Sequence, residues 1–107
     1  MRHEIRLRGR YGDEMRTIVW DDEAGTVEGD HEVVPELQAE MAADVATLAF
    51  PWGTLDVRGH RHDPADFRAV LFQHVGSFDQ ADLGSLADVT PTTLPYPAHY
   101  EAERITC

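Results

Sequence analysis

The stretch RHEIRLR, residues 2–8, decides how the fold begins, because alternate side chains along it differ in character. His3, Ile5 and Leu7 fall on one side of an extended chain, and the arginines and Glu4 fall on the other. A strict period of two is the pattern of a half-buried β-strand. We therefore predict a strand over residues 2–8 whose apolar side faces the core.

Two further strands are predicted directly after this one. Gly9 and Gly12 supply turn residues before EMRTIVW (14–20), which is rich in β-branched and aromatic side chains. DDEAG (21–25) predicts a turn that closes on Gly25 in a left-handed conformation, and TVEGD (26–30) follows as a strand. The sequence thus predicts an N-terminal antiparallel meander.

Beyond residue 30 the hydrophobic period changes to that of a helix. Apolar residues three and four positions apart predict a helix over residues 33–47. TLDVRGH (54–60) alternates again and predicts a fourth strand. Asp63 as the N-cap and Pro64 at the first helical position predict a second helix, which ends at Gly76.

These elements predict a single α+β domain over residues 1–90. We expect one antiparallel sheet of four to five strands with two main helices packed on one face, and one further short helix within residues 79–89. Prolines 91, 95 and 97 exclude a continued helix, so residues 91–107 are expected to form a Pro-rich C-terminal arm. An open sheet must protect its edges, which favours a homodimer through an edge strand or the helical face.

The composition indicates a soluble, strongly acidic protein. The 107 residues carry a formal charge of −11, and all nine basic residues are arginine. The absence of lysine and asparagine favours a GC-rich source or adaptation to high salt. The single cysteine excludes an internal disulfide, and neither a signal peptide nor an apolar run of about 20 residues is present. We therefore expect a cytoplasmic protein that is not bound to a membrane.

The stretch VRGHRHDPADF, residues 57–67, is the densest group of chemically active side chains. In an extended strand His60 and His62 point to the same side, about 7 Å apart by the strand rise, so both imidazoles could ligate one zinc or other divalent metal. A catalytic zinc usually has three protein ligands. Asp63 is already explained as a helix cap, which leaves His3, His31 or His99 to complete such a site.

Two other interpretations of the same stretch remain. Arg58 and Arg61, together with the histidines, could bind an anion at the N-terminus of the second helix, although acidic residues occupy that end as well. Alternatively, the arginines pair with neighbouring acids and the histidines are ordinary strand residues. We favour this last interpretation over metal or anion binding.

The arginines are concentrated at the N-terminus. Residues 1–16 contain five arginines against three acidic residues, whereas residues 17–107 contain four against seventeen. A basic stripe that binds an acidic partner is one outcome, and cross-strand pairing with glutamates is the commoner one. The strongly acidic remainder makes nucleic acid a poor partner. The proposed partner-binding residues are Arg6, Arg8 and Arg10 on the first strand, Arg16 on the second, and Trp52 in the FPWG turn.

No known catalytic motif is complete. HEVVP (31–35) has Pro35 where a helical zinc pair needs its second histidine, and neither Ser77 nor Ser85 lies in G-x-S-x-G. The favoured hypothesis is a non-enzymatic protein-interaction or regulatory module. The alternative is a small metal-binding or anion-binding protein, including a hydrolytic one, centred on His60 and His62.

Overall fold

The computed structural model describes residues 1–12, 14–50, 53–76, 78 and 81–87. It shows an α+β fold with two helices and two antiparallel sheets. The predicted class is confirmed, but the prediction of one sheet with four to five strands is wrong. The Pro-rich arm, residues 91–107, lies outside the described residues, as does Trp52.

The first sheet is the predicted meander. It contains β1 (Arg2–Arg8), β2 (Met15–Asp21) and β3 (Thr26–Gly29), in that order. The turn between β2 and β3 closes on Gly25, which has φ +69° and whose N–H donates a hydrogen bond of 2.8 Å to the Asp21 carbonyl. The left-handed turn expected from DDEAG is therefore present.

Side chains of this sheet separate onto two faces, as the period of two requires. The inner face, which is buried, carries His3, Ile5, Leu7, Ile18 and Trp20. The outer face carries the side chains of the alternate positions: Arg2, Glu4, Arg6 and Arg8 from β1, and Met15, Thr17, Val19 and Asp21 from β2.

The helix α1 (Val34–Ala42) is shorter than predicted, because residues 45–47 belong to a strand. β4 (Val45–Phe50) pairs with β5 (Gly53–Arg58) to form the second sheet. Ala46 and Leu48 are buried while Thr47 and Ala49 are exposed, which is a strand period and not a helical one. Val45 and Leu48 follow Met41 by four and seven residues, which is also the spacing of one helix face. The predicted helix therefore extended wrongly into residues that form β4.

The helix α2 (Pro64–Val75) has the boundaries that its sequence predicts. The Asp63 side chain accepts hydrogen bonds from the N–H groups of Ala65 and Asp66, at 2.9 and 3.2 Å, and Gly76 follows the last turn. Phe67 stacks on Trp20 of the first sheet with 4.2 Å between ring centroids. This contact joins α2 to the inner face and forms the centre of the core.

Several sheet edges are occupied by other parts of the chain. On the outer edge of β1, Arg6 and Asp82 exchange two backbone hydrogen bonds of 2.8 Å. The Gln38 side chain donates to the Val27 carbonyl of β3, and the Gln73 side chain accepts from the Ala49 N–H of β4, both at 3.1 Å. The outer edge of β4 is therefore contacted by α2, and the β4–β5 hairpin forms a sheet of its own.

The predicted short helix near the end of the domain is a single 3-10 turn, Gly84–Leu86, within residues 81–87. Leu86 is fully buried, and Arg68 donates to its carbonyl at 2.6 Å. None of the helices in the described part of the chain is long and apolar enough to cross a membrane.

Candidate functional site

The predicted arginine stripe is divided between two places. Arg6 and Arg8 both project from the outer face of β1 and are exposed. Arg16 lies opposite Leu7 in the register of β1 and β2, so it projects from the other face, where its Nε is 3.4 Å from a carboxylate oxygen of Glu32. Arg16 therefore lies on the opposite face of the sheet from Arg6 and Arg8.

Arg10 lies beyond the end of β1 and is held by acidic and backbone groups. Its guanidinium donates to the Glu36 carboxylate at 2.5 Å and to the His74 carbonyl at 3.1 Å. The hydrogen bond with Glu36 raises the pKa of Arg10 above its ordinary value. Arg10 thus ties the β1–β2 turn to both helices, which is the pairing outcome considered for the N-terminal arginines.

Exposed apolar side chains lie beside Arg8 and in the adjoining turn of the β1–β2 hairpin. Met15 pairs with Arg8 in the register, so both project from the outer face, and Met15 is 37% exposed. Tyr11, in the turn between β1 and β2, is 86% exposed. We call Arg6, Arg8, Tyr11 and Met15 the hairpin patch.

The histidines of residues 57–67 do not share a strand face. β5 ends at Arg58, and residues 60–62 form a turn, so the parity argument for a shared metal does not apply. His60 is 1% exposed, donates from Nε2 to the Glu40 carbonyl at 2.6 Å, and has no partner for Nδ1 within the described residues. His62 is exposed and donates from Nδ1 to the Asp22 carbonyl at 2.7 Å.

The other histidines named as possible metal ligands do not complete a metal centre within the described residues. His31 is buried, and it accepts the Val33 N–H on Nδ1 and donates from Nε2 to the Arg8 carbonyl. Across the described ranges, no group of three or more His, Cys, Asp or Glu side chains is arranged to hold a metal ion. His99 lies outside those ranges. Metal binding by His60 and His62 stays a prediction without a geometric argument.

The two arginines proposed for an anion also have different surroundings. Arg61 donates to Asp44 at 3.1 Å, and its carbonyl accepts the Trp20 indole N–H at 3.0 Å. Arg58 is exposed, and its side chain has no ion pair among the described residues. The first amides of α2 are already bonded to Asp63, so anion binding there stays a prediction that the local geometry does not favour.

One further group of hydrogen-bonded polar residues is not predicted by any sequence motif. His3 bonds through Nδ1 to the Ser85 hydroxyl and through Nε2 to the Asp22 carboxylate, the latter at 2.8 Å. These three residues come from β1, from the β2–β3 turn and from the 3-10 turn. The one available signal was His3 itself, a polar residue at an inward position of the first strand.

The charge on Asp22 is stabilised on both sides. The hydrogen bond from His3 lowers the pKa of the Asp22 carboxyl, and the hydrogen bond from the Met1 ammonium, at 2.8 Å, lowers it further. Asp22 is therefore ionised at neutral pH and serves as an acceptor for the ring N–H of His3.

Comparisons with known proteins returned no match. No family model, no curated protein and no solved structure matches this chain. Any function must therefore be argued from the geometry of the side chains described above.

Proposed function

We propose that the protein is a protein-interaction module whose partner docks on the hairpin patch. The observation that carries this proposal is the exposure of Met15 beside Arg8 on the outer face of the first sheet, with Arg6 on the same face and Tyr11 exposed in the adjoining turn. Among the described residues, the hydrophobic core includes side chains from the inner face of this sheet and none from the outer face of β1 and β2. In this role the protein binds and does not catalyse.

The residue types of the hairpin patch are typical of a surface that binds another protein. Tyrosine, methionine and arginine are enriched at protein interfaces relative to the rest of the surface. Arg6 is exposed, and no ion pair of its side chain is found among the described residues. Arg2, at the far end of the same face, is instead paired with Glu28 at 2.7 Å. The charge of Arg6 is therefore not engaged by an ion pair among the described residues, whereas that of Arg2 is.

Charge complementarity gives the chemistry of the partner. Two arginines beside apolar side chains fit a protein surface that presents carboxylates next to an apolar residue. The chain as a whole carries a charge of −11, which repels a nucleic acid. An acidic protein surface of limited area can approach the hairpin patch without facing that whole charge, because salt screens beyond about 8 Å.

Arg6→Glu tests this proposal, with Arg58→Glu as the matched control. Both arginines are exposed on strands and lack an ion pair among the described residues, and both substitutions change the net charge equally. Proteins captured from the source cells by the parent chain are compared with those captured by each variant, using quantitative mass spectrometry.

We expect at least one protein to be retained by the parent and by Arg58→Glu, and to be lost with Arg6→Glu. Reversing one interfacial charge should weaken a purified complex by roughly tenfold, about 1.4 kcal/mol. Weakening should be smaller at high salt. Equal retention of every captured protein by all three chains would show that the hairpin patch is not the interface.

A further inference from the structure

We propose that Ser85 is a base-activated nucleophile that accepts an acyl group from small activated carboxylic esters, with His3 as its general base and Asp22 as the positioning residue. This inference uses no side chain of the hairpin patch. Its failure and the failure of the interaction proposal are therefore distinguishable.

The bonding of the imidazole defines its role. Asp22, an ionised carboxylate, can only accept a hydrogen bond, so the proton of neutral His3 is held on Nε2. The lone pair of Nδ1 is then directed at the Ser85 hydroxyl, which donates to it. A serine, a base and a carboxylate that orients the base form the arrangement that activates serine nucleophiles in unrelated folds. Here the two ring nitrogens are exchanged relative to the commonest form, and one still accepts while the other donates.

The position of the ring is fixed by the core. His3 is 6% exposed and stacks on Trp20 with 4.8 Å between centroids and 25° between planes. Trp20 is itself stacked on Phe67 and fully buried. The ring of His3 therefore has little freedom to rotate away from Ser85, and the imidazolium formed on proton transfer is stabilised by Asp22 and by the face of Trp20.

The position of Ser85 is fixed by the docking of residues 81–87 on β1. The backbone bridge between Arg6 and Asp82 fixes the start of this segment, and the fully buried Leu86 anchors its end. Between them Gly84 has φ +55°, and a Cβ at this residue would lie 2.8 Å from the Glu4 carbonyl oxygen. Glycine therefore permits an approach to β1 that brings the next residue, Ser85, to the histidine.

Ser85 is exposed, so an ester can reach its hydroxyl from solvent. Oγ attacks the ester carbonyl carbon while its proton passes to His3 Nδ1. The bond to the leaving alkoxide or phenoxide then breaks, and that group takes the proton from Nδ1. A water molecule attacks the acyl-serine with the same base, the carboxylic acid leaves, and the proton returns to Oγ. Atoms and charge balance without any further reactant.

The experiment exploits the fact that the chain contains only one other serine, Ser77. The full chain is treated with a short alkyl fluorophosphonate, which loses fluoride to an activated serine, and the modified residue is identified by peptide mass spectrometry. Hydrolysis of p-nitrophenyl acetate is measured in parallel. General-base assistance is worth about 10²-fold to 10⁴-fold, so we expect Ser85 to be modified at least about 100-fold faster than Ser77.

The unfolded chain and three variants complete the test. In concentrated urea the ratio of the two serine rates should fall to about one, because the arrangement is lost on unfolding. Ser85→Ala should abolish the fast modification, and His3→Gln and Asp22→Asn should each slow it at least about tenfold. The ratio measured on the parent chain needs no variant to fold.

Two results would overturn the proposal. Equal modification of Ser85 and Ser77 in the folded parent would mean that the hydrogen bond to His3 only holds the 3-10 turn in place. Fast modification of Ser85 that neither His3→Gln nor Asp22→Asn slows, in variants with the parental circular dichroism spectrum, would remove His3 as the base.

Discussion

Asp66→Asn should stabilise the protein at neutral pH and lose that advantage in acid. Asp66 lies in the first turn of α2, and burial, reinforced by the charge of Asp63, raises its pKa to about 6. An acid whose pKa is higher in the folded state is costly to ionise there. The stability that comes from keeping Asp66 protonated in the folded state is complete below the unfolded pKa of 3.8, and it is lost as the pH rises through about 6.

The size of the effect follows from the shift. A change from 3.8 to about 6 corresponds to about 3 kcal/mol at 1.36 kcal/mol for each pKa unit. Asp66 is only partly buried, so solvent screening reduces the expected effect to about 1 kcal/mol.

Urea unfolding at a series of pH values between about 4 and 7.5 measures this difference. We expect Asp66→Asn to have a higher unfolding free energy than the parent at neutral pH and nearly the same one near pH 4, with an unchanged dependence on urea. Glu4→Gln, on the exposed outer face, removes the same charge and controls for the change in net charge. A difference between Asp66→Asn and the parent that does not vary with pH would refute the reasoning.

Two further predictions concern the same region. Asp63→Ala removes the acceptor of two N–H groups at the start of α2, and it should lower the free energy of unfolding by about 1 kcal/mol in urea titrations; an unchanged midpoint would contradict this capping role. Elemental mass spectrometry of protein purified without a histidine tag should find no stoichiometric zinc, because the rings of His60 and His62 are separately bonded to the carbonyls of Glu40 and Asp22. Near-stoichiometric metal that disappears in a His60→Ala, His62→Ala double variant would restore the metal hypothesis.

Local patterns predicted the elements whose signals are local. The period of two in β1, the glycine that closes the β2–β3 turn, and the cap and proline at the start of α2 each act within a few residues. The end of α1 has no such signal, since its C-cap is Ala43 and no glycine or proline follows until residue 51. Apolar spacing alone could not tell the last turn of a helix from the first residues of β4.

Arrangements that depend on pairing between distant segments were not predictable. β4 and β5 form a separate sheet, and the edge of β4 is contacted by a side chain from α2 that lies 24 residues away along the chain. The same holds for His3, Asp22 and Ser85, which are separated by 19 and 63 residues along the chain and meet only after residues 81–87 dock on β1. Counting arginines located the basic N-terminus, but only the register showed that Arg16 and Arg6 project from opposite faces.

The glutamines at the strand edges have a consequence for behaviour at high concentration. Gln38 and Gln73 each occupy one backbone group of a strand that would otherwise be available to another chain. A side-chain amide can both donate and accept, so it satisfies the edge as a neighbouring strand would, yet it offers no further edge for growth. We therefore expect replacement of either glutamine by an apolar residue to leave that backbone group open to pairing with another chain, and to make the protein more prone to aggregate at high concentration.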